Sequence, residues 1–369
     1  MINDIYTERR QQLFDKLSEE KQVQALYITR EQDVTYLTGF TGDMTTIMIT
    51  ADESCLFPGR FFYEQAADEC KSIKIDLDTT AGVTVFDRVN NFLKDKKVEK
   101  IGVQGEHVNL STAELFKEKF GRELVTLPTL KNYGRIVKTP EEIEKIQHAI
   151  EIGERALQEI VSQGAKYLIG RTEADVRNEL EYRMRCLGAS DKSFPAIVAS
   201  GANSSRCHHL PGEKVIENES TLLIDWGAIY CGYCGDLTRT FFIGKIPPRM
   251  EEIYTTVLGA QKAAIEAMNP GMVCGEIDKI ARDYIANAGF GEQFIHGLGH
   301  GLGLDVHEMP SFHKGCEAVL EENMVMTVEP GIYFPGLGGV RIEDDILVTA
   351  DGYEELSSFP RDLESMIIE

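Results

Sequence analysis

Apolar positions along the chain keep two different rhythms. Up to about residue 130, short apolar runs at 24–29 (QALYIT) and 45–50 (TTIMIT) read as strands, while 86–93 and 112–120 carry the spacing of helices. This first part is expected to be an α/β unit of modest size. The rhythm changes across 133–140 (YGRIVKTP). There Thr139 predicts an N-cap, Pro140 the first helical position and Glu142 the return arm of a capping box. Ile143, Ile146, Ile150, Leu157 and Ile160 then mark one face of a long helix. A second helix is expected from Thr172, with Val176, Leu180, Met184 and Leu187 on one face, and two more at about 248–268 and 275–288. The stretches 194–200, 221–243 and 324–349 are strand-like. Residues 135–369 therefore read as an α+β domain of antiparallel hairpins surrounded by helices, and residues 1–134 as a smaller domain before it.

Two of the hairpins interrupt their apolar strands with acids. In 221–242 (TLLIDWGAIYCGYCGDLTRTFF), a turn centred between Tyr230 and Cys231 sets Asp225 opposite Asp236. In 324–348 (MVMTVEPGIYFPGLGGVRIEDDILV), a turn centred on Gly336 sets Glu329 opposite Glu343. Like charges directly opposite on a ladder are destabilising, so two such pairs inside apolar runs ask for cations. Between the hairpins lies His296-Gly-Leu-Gly-His300-Gly-Leu-Gly, whose glycines let the backbone approach a site closely. One histidine with four carboxylates is an oxygen-rich donor set suited to Mn(II), with Co(II), Fe(II) or Zn(II) in competition. Four carboxylates balance two divalent ions, which suggests a dinuclear centre.

Charge narrows the partners. With 38 Lys+Arg against 60 Asp+Glu, the formal charge is −22, which repels phosphates and excludes a general electrostatic grip on nucleic acid or an anionic membrane. No run approaches the ~18 apolar residues that span a bilayer, and the first twenty residues lack the apolar core of a secretion signal. A cytoplasmic protein is the expectation. The eight cysteines are irregularly spaced and suggest no disulfide scaffold. Cys231-Gly-Tyr-Cys234 has redox-motif spacing, but on a strand-turn-strand rather than at a helix start.

These words together resemble the creatinase/methionine aminopeptidase superfamily of pita-bread metallopeptidases. Its ligand order Asp, Asp, His, Glu, Glu is met by Asp225, Asp236, His300, Glu329 and Glu343, within IDWGAIYCGYCGDLTRT, HGLGHGLGLDVHE, TVEPGIY and GVRIEDD. The likeness is strong over 135–369, and DVTYLTGF and FPGRFFYEQA resemble pieces of the smaller creatinase-type N-terminal domain. The extra domain argues against methionine aminopeptidase. The intact ligand set argues against creatinase and against a noncatalytic pita-bread binding module. What remains is the Xaa-Pro branch, aminopeptidase P and prolidase, which cleaves the bond before proline.

The resemblance implies that Asp225 binds one metal and His300 and Glu329 the other, with Asp236 and Glu343 bridging. It implies that hydroxide held between two divalent ions attacks the scissile carbonyl and that Glu329 shuttles the proton. His208 matches a substrate-pocket histidine, with His209 beside it as the competing choice. His296 would line the pocket, His307 would hydrogen-bond the substrate, and Arg341 and Tyr333 would support the ligands. The implied partners are a peptide with proline in second position and a second copy of the chain in a homodimer. A strict dipeptidase must recognise a free carboxylate, a task suited to a bidentate arginine. Many prolidases resemble HExPR here, whereas this chain reads His307-Glu308-Met309-Pro310-Ser311. That missing arginine leads us to expect aminopeptidase P behaviour, with prolidase as the alternative.

Overall fold

The computed structural model describes residues 4–78 and 80–369. They form two compact units, Met1–Arg135 and Ile136–Glu369.

The first unit is built on a six-stranded mixed sheet, in the order Lys74–Ile75, Ser54–Phe57, Thr46–Thr50, Ala25–Ile28, Lys100–Gln104, Glu123–Leu127. Two of its helices begin where side chains satisfy the first free amides. Thr84 caps Val85–Leu93 in a reciprocal box with Asp87, and Asn109 caps Leu110–Phe120. The Tyr27 ring meets those of Phe116 and Phe120 edge-on at 5.2 and 5.1 Å, anchoring the second of these helices on the central strand.

In the second unit Thr139 and Glu142 form the expected capping box, and the helix runs Pro140–Val161. Its buried side includes Ile146, Ile150, Leu157 and Ile160. Thr172 caps Glu173–Cys186 in a second box with Asp175. Pro248–Glu266 and Cys274–Asn287 pack on one another.

The acids lie on two sheets. Strands Ile197–Ser200, Ser220–Trp226, Leu237–Ile243 and Ile367–Ile368 make one, in that order. Glu308–Phe312, Gly299–Gly301, Val325–Val328, Asp344–Thr349 and Gly352–Glu355 make the other. A bridge between Thr238 and Glu343 joins them at the backbone. Within the second sheet Gly299 is needed, because a Cβ there would stand 2.0 Å from the Thr327 carbonyl oxygen.

The first hairpin departs from its expected register. Its turn is Cys231-Gly232, both at positive φ (48° and 85°), which matches the type I′ geometry of two-residue hairpin loops. The centre therefore falls one position later than expected, and Asp225 faces Thr238 rather than Asp236. Asp236 is two residues from Thr238 and so, with side chains alternating, belongs to the same face as a diagonal neighbour. The second hairpin keeps the expected register: Gly331 pairs with Arg341 and Val328 with Asp344, so Glu329 and Glu343 fall opposite one another.

Behind this junction is a buried knot of charge. Arg239 has no exposed surface and donates to Asp344 Oδ1 (2.6 Å) and to the carbonyls of Thr238, Glu343, Phe359 and Pro360. Asp344 also accepts from Gln261, Ser357 and Arg361. These contacts hold the Asp344 carboxyl below its usual range, although burial alone would raise it.

Candidate metal centre

Asp225, Asp236, His300, Glu329 and Glu343 line one cavity of about 630 Å³. One donor atom each from Asp236, His300 and Glu343 lie within 4.8 Å of one another. His300 Nε2 is 3.7 Å from Asp236 Oδ2 and 3.4 Å from Glu329 Oε1. Its Nδ1 donates to the Gly301 carbonyl (3.1 Å), which leaves the Nε2 lone pair facing the acids. Burial, with His307 nearby, lowers the His300 pKa to about 3, so the ring is a neutral donor.

The carboxylates stand under strain. Burial, then repulsion from neighbouring acids, pushes Asp236 and Glu343 well above the ordinary carboxylate range. Burial raises Glu329 to about 8, opposed by Arg341. Asp225 is also raised by burial, although Arg341 Nη2 donates to its Oδ2. Its other oxygen, Oδ1, is buried without a hydrogen-bond partner. A buried carboxylate oxygen with no donor costs free energy unless a cation takes it up. Four crowded acids, a neutral imidazole and this orphaned oxygen fit divalent cations.

Arg341 and Tyr333 form a chain behind the acids. Arg341 donates to Asp225, to Thr238 Oγ1 (3.1 Å) and to the Tyr333 hydroxyl (2.9 Å). Tyr333 then donates to His296 Nε2 (2.9 Å), and His296 Nδ1 donates to the Gly297 carbonyl (2.7 Å). Both nitrogens of His296 are thus engaged within the protein. Burial, together with the Arg341 charge, lowers its pKa to about 4.

His208 and His209 both line the cavity, but their settings differ. His209 bonds Glu173 Oε2 at 2.7 Å, and the fully buried Glu173 also accepts from the Ser200 and Gly212 amides and from Asn203. His307 lies on the cavity wall with its ring centroid 4.4 Å from that of His300. Thr238 was not anticipated from sequence: its hydroxyl donates to Glu343 Oε2 (2.6 Å) while accepting from Arg341. Correct placement of the Cys231-Gly232 turn would have revealed it opposite Asp225.

Comparison with known proteins accounts for this arrangement. Residues 144–350 match the model of Metallopeptidase family M24. The chain belongs to family M24. Its residues 9–137 match the Creatinase/Prolidase N-terminal domain that precedes the peptidase domain. Among M24 relatives, an Xaa-Pro dipeptidase of Pyrococcus furiosus is 38% identical over 94% of this chain and 97% of its own length. The structure of an Xaa-Pro dipeptidase from Bacillus anthracis superposes with a TM-score of 0.93 at 35% identity, covering 98% of this chain and 100% of that one. An X-Pro aminopeptidase from Thermotoga maritima superposes with a TM-score of 0.85 at 35% identity, covering 97% and 99%. The fold is the pita-bread architecture that the ligand words implied.

One outcome tests the cavity wall directly. His307→Ala is expected to keep the cations, because His307 is not among the five donors, and to lower kcat by about 10², the loss typical of one transition-state hydrogen-bond donor. Metal content and kcat measured on the same preparation decide it. An unchanged kcat would leave His307 with a packing role only.

Proposed function

We propose that the protein is an Xaa-Pro dipeptidase that uses divalent cations, with Mn(II) as the favoured occupant. The observation that carries this reading is the convergence of Asp225, Asp236, His300, Glu329 and Glu343 on one cavity. The names of the Pyrococcus and Bacillus relatives support dipeptidase over the aminopeptidase P behaviour expected from Ser311. The Thermotoga relative and the missing arginine keep aminopeptidase P as the second reading. His313 lines the same cavity two residues beyond Ser311, so position 311 is not the only place from which a side-chain hydrogen bond can reach the substrate.

Asp225, Asp236, Glu343, His300 and Glu329 would hold the cations. Bound there, divalent cations supply Lewis-acid polarisation of the scissile carbonyl and acidify water for attack. Glu329 takes the proton of the attacking water and returns it to the proline nitrogen, a leaving group with no N–H of its own. His307 donates to the oxyanion, and His208 on the cavity lining orients the substrate. Arg341, tied to Asp225 and to Tyr333–His296, fixes that ligand's angle.

The test compares kcat/KM for Xaa-Pro and Xaa-Pro-Yaa at matched Xaa, with non-proline controls. Dipeptides are expected to win by more than about tenfold, equal to about 1.4 kcal/mol of transition-state binding. Equal or better turnover of the longer peptide would establish the aminopeptidase reading instead.

A further inference from the structure

We propose that the buried ion pair of Lys138 and Glu308 is a positioning device that sets His307 against the metal centre. Lys138 and Glu308 side chains are 2% and 1% exposed, and Lys138 Nζ is 3.3 Å from Glu308 Oε2. Lys138 reaches there from the segment just before the Pro140 helix, and its ammonium also donates to the Ile136 carbonyl (3.0 Å). The other carboxylate oxygen, Oε1, accepts the Asp305 amide (3.2 Å). Gly303 folds so closely over this carboxylate that a Cβ there would stand 2.6 Å from Glu308 Oε2. The turn from Gly303 to His307 is therefore wrapped around one buried, charged group.

His307 is the residue next to that group. Its position against the His300 ring is the end point of this turn. The ladder is irregular at this place: His300 pairs with Ser311 and Gly301 with Glu308, so Met309 and Pro310 bulge between paired positions and His307 lies just outside the strand, where the ladder does not constrain it. A charge-assisted contact to the turn from within supplies that constraint.

Buried ion pairs are weak evidence of stabilisation, since desolvation offsets most of their attraction, but breaking one partner is costly. A purely structural pair would lower stability and affect every step alike. A positioning pair acts only through His307, and the inference rests on the role given to His307 above.

The experiment is a double-mutant cycle on the metal-loaded full chain with an Xaa-Pro dipeptide. Glu308→Gln is expected to lower kcat at least about tenfold, within the ~100-fold that a misplaced group costs. KM and cation content should be unchanged. In a His307→Ala background the same substitution should have no further effect on kcat. Lys138→Gln/Glu308→Gln removes both charges, avoids a lone buried ion, and should show the same kcat loss. An equal loss with and without His307, an effect on KM alone, or an unchanged kcat would overturn the proposal. So would failure of both the single and the double variant to fold, which would make the pair structural. Full turnover by His307→Ala itself would instead remove the role assigned to His307.

Discussion

Asp236→Asn is expected to lose bound metal and activity together while stabilising the metal-free protein. Asp236 sits among Glu343, Asp225, Asp345 and Glu329, and burial with their repulsion lifts its pKa well above the ordinary range. An acid whose folded pKa is raised opposes folding at pH values above its unfolded pKa, and that penalty grows as pH rises towards the folded value. Asparagine removes the penalty, so the metal-free variant should melt higher than metal-free wild type at neutral pH. It also removes one of the donors proposed to hold the cations. Outer partners of metal ligands are already worth 10–100-fold, so kcat/KM should fall by at least ~100-fold. Elemental analysis, kcat/KM and thermal melts with and without Mn(II) are the measurements. In wild type, chelation should abolish turnover and lower the melting point, and Mn(II) or Co(II) should restore both. Full turnover by exhaustively metal-free enzyme would sink the assignment.

Arg239→Leu should be the most damaging single change to stability outside the cavity. The guanidinium has no exposed surface, and it answers one carboxylate and four backbone carbonyls from both sides of the Thr238–Glu343 junction. Removing one partner of a buried pair costs about 3–5 kcal/mol. For a unit of this size that is a fall of roughly 6–20 °C in melting temperature. Arg361 still contacts Asp344 and should keep the loss towards the lower end. A change below about 1 kcal/mol in denaturant titration would show that water replaces the guanidinium without cost.

The parts of the fold written in local chemistry were legible. Thr139-Pro140-Glu141-Glu142 and Thr172 start helices through contacts within four residues, and the structure keeps both. The Gly336-centred turn is legible in register because pairing on both sides of the short breaks at 329–330 and 342–343 keeps the same offset. The register of the first hairpin differs by one position from the expected one. Positive φ at Cys231, a residue with a Cβ, is not an obvious turn signal, and the adjacent glycine allowed either centre. The shift leaves the acids on one face because side chains alternate with period two. The helices Ile5–Lys21 and Glu31–Thr38 were not singled out, since the first buries Arg10 along with Leu13, Phe14 and Leu17. The supports of the site were hidden for a different reason. Lys138 meets Glu308 across 170 residues and Arg341 meets Asp225 across 116, distances over which pattern carries no information.

The crowded acids also bear on how the protein accumulates. A cluster that must shed or neutralise charge before its strands can close links the stability of the folded state to cation supply, beyond its effect on turnover. Cells short of divalent cations would then hold less of the enzyme, because the incompletely closed chain is cleared by quality-control proteases. Enzyme abundance would follow metal nutrition even with synthesis held constant.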